Sequence, residues 1–368
     1  MCRPAPNFPV QFELEMGHTS GQEPRLGNAS QLAKMQLLAQ VPWSWRMYRL
    51  VSSSQECLLA NSEVLGRNGN QRNRFKRGEK LNVRLIPRLD IKGPNLVKGI
   101  HLEGLRVLGK PGRFARYYYE HGADELIYMD VVASLYERNS LLPTIEKTSK
   151  EIFIPLTVGG GLRTTEDIRT VLRAGADKVS LNTAAIRQPE LVEKAAKIFG
   201  SSTIVVSIEA KKRPDGSYEA YTDNGRIRTG VDVFDWAVRV AELGAGEILL
   251  TSIDHEGTGV GFNLELTRRI VESVPIPVIA CGGAGSRSDI FDVINEGKAD
   301  AASFASILHY KYIGQFYADD DYSSEGNVEF LRSVRTFSKI EGANLTEIKE
   351  YLRQHGISCR AVEQSVNA

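Results

Sequence analysis

The chain has 368 residues, 42% of them hydrophobic, with 46 Lys+Arg against 45 Asp+Glu. A net charge of +1 gives no electrostatic support for a dedicated nucleic-acid binder, and no uncharged apolar run approaches the roughly 18 residues of a membrane span. Four scattered cysteines, Cys2, Cys57, Cys281 and Cys359, argue against a disulfide framework or a cysteine zinc site and point to a reducing, cytoplasmic setting.

Residues 1–82 differ from the rest. They carry 11 Lys+Arg against 6 Asp+Glu, whereas the remainder carries 35 against 39. Arg67, Arg72, Arg74, Lys76 and Arg77 gather before the first convincing strand. Gln31–Val51 has the apolar residues of an amphipathic targeting helix, but Pro42 interrupts it and Glu13, Glu15 and Glu23 precede it. The segment is expected to be a weakly ordered N-terminal extension without chemistry of its own.

From Val83 onward, short β-branched runs alternate with helical spacing. The runs are Val83–Leu89, Glu125–Met129, Ile154–Val158, Lys178–Leu181, Thr203–Ile208, Glu247–Thr251, Pro277–Ala280 and Ala299–Phe304. Continuous apolar strands with helices between them imply a parallel sheet covered on both faces. Eight such units close as a (β/α)8 barrel, placed at residues 83–368. The chain also repeats itself at half-length. Gly122-Ala123-Asp124-Glu125 recurs 122 residues later as Gly244-Ala245-Gly246-Glu247, and Val158-Gly159-Gly160-Gly161 recurs as Ala280-Cys281-Gly282-Gly283. The barrel therefore consists of two similar half-barrels, which a doubly wound sheet would not explain. Past His309 the pattern loosens, and residues at about 310–342, with Asp319-Asp320-Asp321, read as an insertion expected to be mobile before helical spacing resumes at Leu345–Gln354.

In such barrels chemistry sits where the strands end. Gly159-Gly160-Gly161 follows the third strand and Gly282-Gly283-Ala284-Gly285 the seventh, and glycine lets an anion approach backbone N–H groups ahead of a helix. Asn182 and Thr183 follow the fourth strand, with Ser306 in the corresponding place after the eighth. The half-repeat thus suggests two phosphate sites across one mouth. Asp90 ends the first strand and Glu209 the fifth, opposed across an eight-membered ring, where a carboxylate pair can divide the roles of general base and general acid. Lys92 and Lys211 stand beside them as structural partners in the plainer reading. Lys98, Asp130, Ser134, Thr251, Asp254, Glu256 and Gly257 complete the rim. His255 lacks a second histidine at ligand spacing, so neither metal nor cofactor is expected, and His101, His121 and His309 are expected on surfaces.

These residues resemble the cyclase subunit of imidazole glycerol phosphate synthase, from about Val83 to His309. The resemblance rests on Arg84-Leu85-Ile86-Pro87, Leu89-Asp90-Ile91-Lys92, Val97-Lys98-Gly99, the two glycine turns, Ala176-Asp177-Lys178-Val179-Ser180 and Gly244 through Asp254. It implies a bisphosphorylated substrate, phosphoribulosyl-formimino aminoimidazole carboxamide ribotide, cyclised with ammonia to imidazole glycerol phosphate and aminoimidazole carboxamide ribotide. It implies Asp90 and Glu209 as the acid/base pair. It implies a glutaminase partner, forming a heterodimer on the opposite barrel face, and a ring of Arg84, Glu125, Lys178 and Glu247 gating the ammonia entrance. Four positions depart from the family pattern: Glu209 and Glu256 replace aspartates, Val132 a threonine, and Arg88 a small cysteine, which puts a large cation inside the ring. A paralogous ammonia-channelling partner of another amidotransferase, as in surface-polysaccharide sugar amidation, is the alternative these departures suggest. The related sugar-phosphate isomerase would share both phosphate sites but has no use for the charged ring.

Overall fold

The computed structural model describes residues 82–133, 141–315 and 339–362. The N-terminal extension, Ser134 and most of the insertion lie outside them. Eight parallel strands form a closed ring: β1 (Arg84–Lys92), β4 (Leu126–Asp130), β5 (Leu156–Gly159), β6 (Lys178–Leu181), β7 (Ile204–Lys212), β10 (Glu247–Ser252), β11 (Val278–Cys281) and β12 (Ala301–Phe304). Closure is made by β12 on β1, with Arg84 opposite Ala301, and by β7 on β10, with Val205 opposite Glu247. Helices α1 (Pro111–Glu120), α2 (Leu142–Thr148), α3 (Thr165–Arg173), α4 (Thr183–Arg187), α5 (Glu190–Phe199), α6 (Val233–Glu242), α7 (Leu264–Ser273), α8 (Arg287–Asn295), α9 (Ser306–Gln315) and α10 (Leu345–Gln354) belong to the same units. This is the expected (β/α)8 barrel; Lys178–Leu181 matches its expected run at both ends, and the other strand ends shift by at most four residues. Tyr310–Gln315, assigned from sequence to the insertion, continue α9 as helix.

Two hairpins were not legible as strands. β2 (Asn95–Ile100) and β3 (Glu103–Gly109) extend β1, while β8 (Tyr218–Thr222) and β9 (Ile227–Asp232) extend β7. Each hairpin begins where its barrel strand outruns the ring and pairs antiparallel with the overhang: Asp90 lies opposite Val97, and Glu209 opposite Tyr221. The two halves therefore repeat in architecture as well as in sequence, with a carboxylate at the root of each hairpin.

Repeated aspartates register the ring from below. Asp124, Asp177 and Asp300 each precede a strand, and their carboxylates accept the backbone N–H of Leu85, Leu156 and Val278 at the start of the strand before, at 2.9–3.0 Å. Side chains then alternate along each strand. The outward set (Leu85, Leu89, Leu126, Val206, Ile208 and their neighbours) packs under the helices. The inward set stacks in layers along the barrel axis: a charged ring at the strand starts, an apolar layer of Ile86, Ile127, Val205, Leu249, Ile279 and Ala301, then a polar layer approaching the mouth. Polar side chains in that last layer must find partners or carry a desolvation cost, and they define the site.

Candidate active site

The mouth holds a cavity of about 310 Å³ lined by Asp130, Gly160, Gly161, Asn182, Thr183 and Glu209. Six residues expected from the sequence thus meet in one space. Arg163, Arg187, Ser207 and Asn224 line it too and were not anticipated. Arg163 stands two residues past the first glycine turn, so its position in the sequence could have revealed it. Asn224 could not be found that way, because it is delivered by the turn of the β8–β9 hairpin, whose strands were not legible in the sequence.

Gly160 has φ +102°, and a Cβ there would lie 2.3 Å from the Asp130 carbonyl oxygen. Only glycine lets this turn pass so close to β4. Gly160→Ala is expected to cost about 1–3 kcal/mol of stability and to weaken substrate binding. Urea denaturation together with KM would show both effects. Beyond the turn, Thr164 caps α3 in a box with Asp167, whose carboxylate also takes the Arg163 N–H at 2.9 Å. The other half repeats the device: Ser286 caps α8 with Asp289, which takes the Gly285 N–H at 2.8 Å. The helix N-termini are thus partly committed, and the turns themselves are the anion-accepting element. The second turn is the tighter one. Gly282, Gly283 and Ser306 are buried, and a Cβ on Gly283 would lie 2.0 Å from the Gly261 carbonyl.

Asp90 and Glu209 project from β1 and β7, opposite each other in the ring. Neither relies on its adjacent lysine; Lys92 and Lys211 are exposed. Asp90 Oδ1 instead accepts Arg88 Nε at 2.8 Å, inside the barrel. Glu209 Oε2 accepts the Gly225 N–H at 2.7 Å from the β8–β9 turn. Burial pushes the Glu209 carboxyl up to about 7, with Arg88 and the Gly225 N–H pulling the other way and Asp90 adding to the rise. A carboxyl that titrates near neutrality can give and take a proton at working pH.

Lys98 and Glu256 form a fully enclosed ion pair next to this layer, and Gly257 packs against the Gly99 carbonyl. Burial opposes the Lys98 ammonium, but Glu256 and Asp90 outweigh it and raise its pKa. Thr251 is buried and accepts Arg88 Nη1 at 3.3 Å rather than facing the cavity. Asp254 lies outside the cluster, its carboxylate taking the Lys212 N–H at 2.8 Å. His309 departs from expectation: it is buried, 2.6 Å from the Tyr118 hydroxyl, and burial pushes its pKa down to about 3. The sequence pattern loosens just past His309, which suggested a surface position, but the Phe114 and Tyr118 rings close over it.

At the opposite end, the strand starts carry a cyclic ion-pair ring. Arg84 Nη1 reaches Glu125 at 2.7 Å and Glu247 at 2.9 Å, and Lys178 Nζ reaches the same two carboxylates at 3.1 Å. Alternating charge pairs the four groups across the barrel axis, both cations meeting Glu247 at Oε1 while its Oε2 has no hydrogen-bond partner. Among the described residues no cluster of His, Cys, Asp and Glu could hold a metal ion, and no helix is long and apolar enough to cross a membrane.

Comparison with known proteins points to one family. A family model described as histidine biosynthesis protein matches residues 84–314. The chain is 59% identical over 204 residues to the imidazole glycerol phosphate synthase subunit HisF of Legionella pneumophila, covering 55% of this chain and 96% of that protein. The subunits of the same name from Alkaliphilus metalliredigens and Trichormus variabilis are 50% and 47% identical, each covering 62% of this chain and 91% of their own length.

Proposed function

We infer, for a chain that belongs to the histidine biosynthesis protein family, the activity of the cyclase subunit of imidazole glycerol phosphate synthase. It is a lyase that combines ammonia with phosphoribulosyl-formimino aminoimidazole carboxamide ribotide and releases imidazole glycerol phosphate, aminoimidazole carboxamide ribotide and water. The observation that carries the reading is the carboxylate pair: Asp90 and Glu209 stand at equivalent places in the two half-barrels, in the polar layer under one mouth.

The chemistry follows from that placement. One phosphate end of the substrate rests on the Gly160–Gly161 turn with Asn182 and Thr183, and the other reaches toward Gly282, Gly283 and Ser306. Held between them, the reacting carbons lie over the carboxylates, and fixed orientation supplies much of the rate. Asp90 accepts a proton from the attacking ammonia as the new C–N bond forms. The ketone oxygen leaves as water, the new nitrogen closes on the formimino carbon, and Glu209, which titrates near 7, donates its proton to the ribotide nitrogen as that C–N bond breaks, leaving the imidazole. Lys98 supplies positive charge beside the developing anion.

Ammonia is generated by a glutaminase subunit seated on the face that carries the Arg84–Glu125–Lys178–Glu247 ring, and the two chains work as a heterodimer in the cytoplasm. The test is direct: purified protein with the ribotide and an ammonium salt should consume substrate, followed by its absorbance, and no turnover at saturating ammonium would refute the assignment. Glu125→Gln is expected to depress glutamine-driven turnover several-fold while sparing ammonium-driven turnover, measured side by side with the glutaminase present.

A further inference from the structure

The side chain that dominates the barrel interior is not used by the mechanism above. Arg88 is 1% exposed and among the largest fully buried side chains of the described residues. It sits two residues before Asp90, on the same inward face of β1. Two of its three nitrogens make contacts, and these span three strands. Nε donates to Asp90 at 2.8 Å, Nη1 reaches Thr251 Oγ1 at 3.3 Å on β10 and Cys281 Sγ at 3.6 Å on β11, and Nη2 has no acceptor within the protein. A residue kept for packing alone would not carry a buried N–H without an acceptor, since an apolar side chain of similar volume fills the space without that penalty.

We propose that Arg88 is a positioning residue of the reaction: its guanidinium, anchored at Thr251 and Cys281, fixes the Asp90 carboxylate through Oδ1 and places a positive charge inside the ring that also holds Glu209. The inference rests on the cyclase reading but concerns a residue that the reading does not employ. A planar guanidinium anchored at Thr251 and Cys281 can hold a carboxylate in one orientation, which the point charge of a lysine cannot. The charged and titratable groups around the guanidinium are Asp90 on β1, Cys281 on β11 and Glu256 after β10, with Lys98 paired to Glu256. His309 lies close enough to feel Asp90 and Lys98 but is neutral at working pH. Glu209 feels Arg88 and Asp90 in opposite senses, and the cation is the larger influence.

The experiment compares the full-length chain with Arg88→Met and Arg88→Lys, measuring kcat/KM against pH with ammonium as nitrogen donor. Arg88→Met removes the charge and should move the basic limb upward by about one pH unit, because a nearby cation favours the carboxylate form of Glu209. Arg88→Lys keeps the charge and loses the fork, so its limb should stay in place while kcat falls roughly 10–100-fold from a misplaced Asp90. Carboxyl 13C titration of Glu209, assigned with Glu209→Gln, should follow the limb in both variants. This signal does not depend on turnover, so a wild-type chain without cyclase activity would sink the functional reading and leave this one testable. Equal loss of kcat at every pH with an unmoved Glu209 titration in Arg88→Met would overturn the proposal. If Arg88→Met fails to fold, Arg88→Lys decides: full kcat in that variant refutes the orienting role.

Discussion

Asp90→Asn is expected to lower ammonium-driven kcat by about 100- to 10,000-fold, the usual contribution of a positioned proton acceptor. The amide keeps the shape of the carboxyl, and its oxygen can still accept Arg88 Nε, so the geometry at 2.8 Å is preserved while the proton-accepting oxygen is lost. The substitution also strips a buried arginine of its counter-charge, and breaking one side of such a pair costs roughly 3–5 kcal/mol. Loss of activity could then be confused with loss of fold. The double variant Arg88→Met/Asp90→Asn separates the two, because replacing both members of a buried pair is often neutral for stability. The expected pattern is a single variant that is inactive and destabilised, and a double variant that regains its unfolding midpoint in urea without regaining turnover. Recovery of turnover in the double variant would remove Asp90 from the chemistry.

The half-repeat was the feature that made this site legible before any coordinates. Gly122-Ala123-Asp124-Glu125 and Gly244-Ala245-Gly246-Glu247 mark equivalent strand starts, so Glu125 and Glu247 fall in equivalent places, and the ring with Arg84 and Lys178 that the family resemblance implied is present. Asp90 and Glu209 followed from the same register. What escaped was set by contacts between residues remote in sequence. Nothing local to Glu209 says that Gly225 will donate to it, since that bond depends on a hairpin whose strands are short and whose register is irregular between Glu219 and Tyr221. Nor does anything local say that Asp90 will pair with Arg88 rather than Lys92. Strand alternation puts the i−2 residue on the same face, yet a cation inside the ring looks forbidding until Thr251 and Cys281 are seen to receive it. His309 misled for a related reason: at the edge of a fading helical pattern its environment is decided by Phe114 and Tyr118, almost two hundred residues earlier.

Glu209 should also leave a signature in stability. Its carboxyl titrates near 7 in the folded chain, against an unfolded value of 4.5, because burial disfavours the charge more than Arg88 and the Gly225 N–H restore it. Below 4.5 both states hold the proton and the group is neutral to folding. Between 4.5 and 7 the folded state keeps a proton that the unfolded state has released, so stability falls as pH rises, by about 3 kcal/mol across the window, and levels off above it. Glu209→Gln removes this dependence, and the difference between the two urea titrations isolates it from every other group. The same proton governs turnover. As pH climbs beyond about 7 the donor form of Glu209 disappears tenfold per unit, and the elimination step should slow in proportion while substrate binding at the glycine turns does not. A kcat that holds level to pH 9, together with an unchanged slope of stability in Glu209→Gln, would show that the proton resides elsewhere.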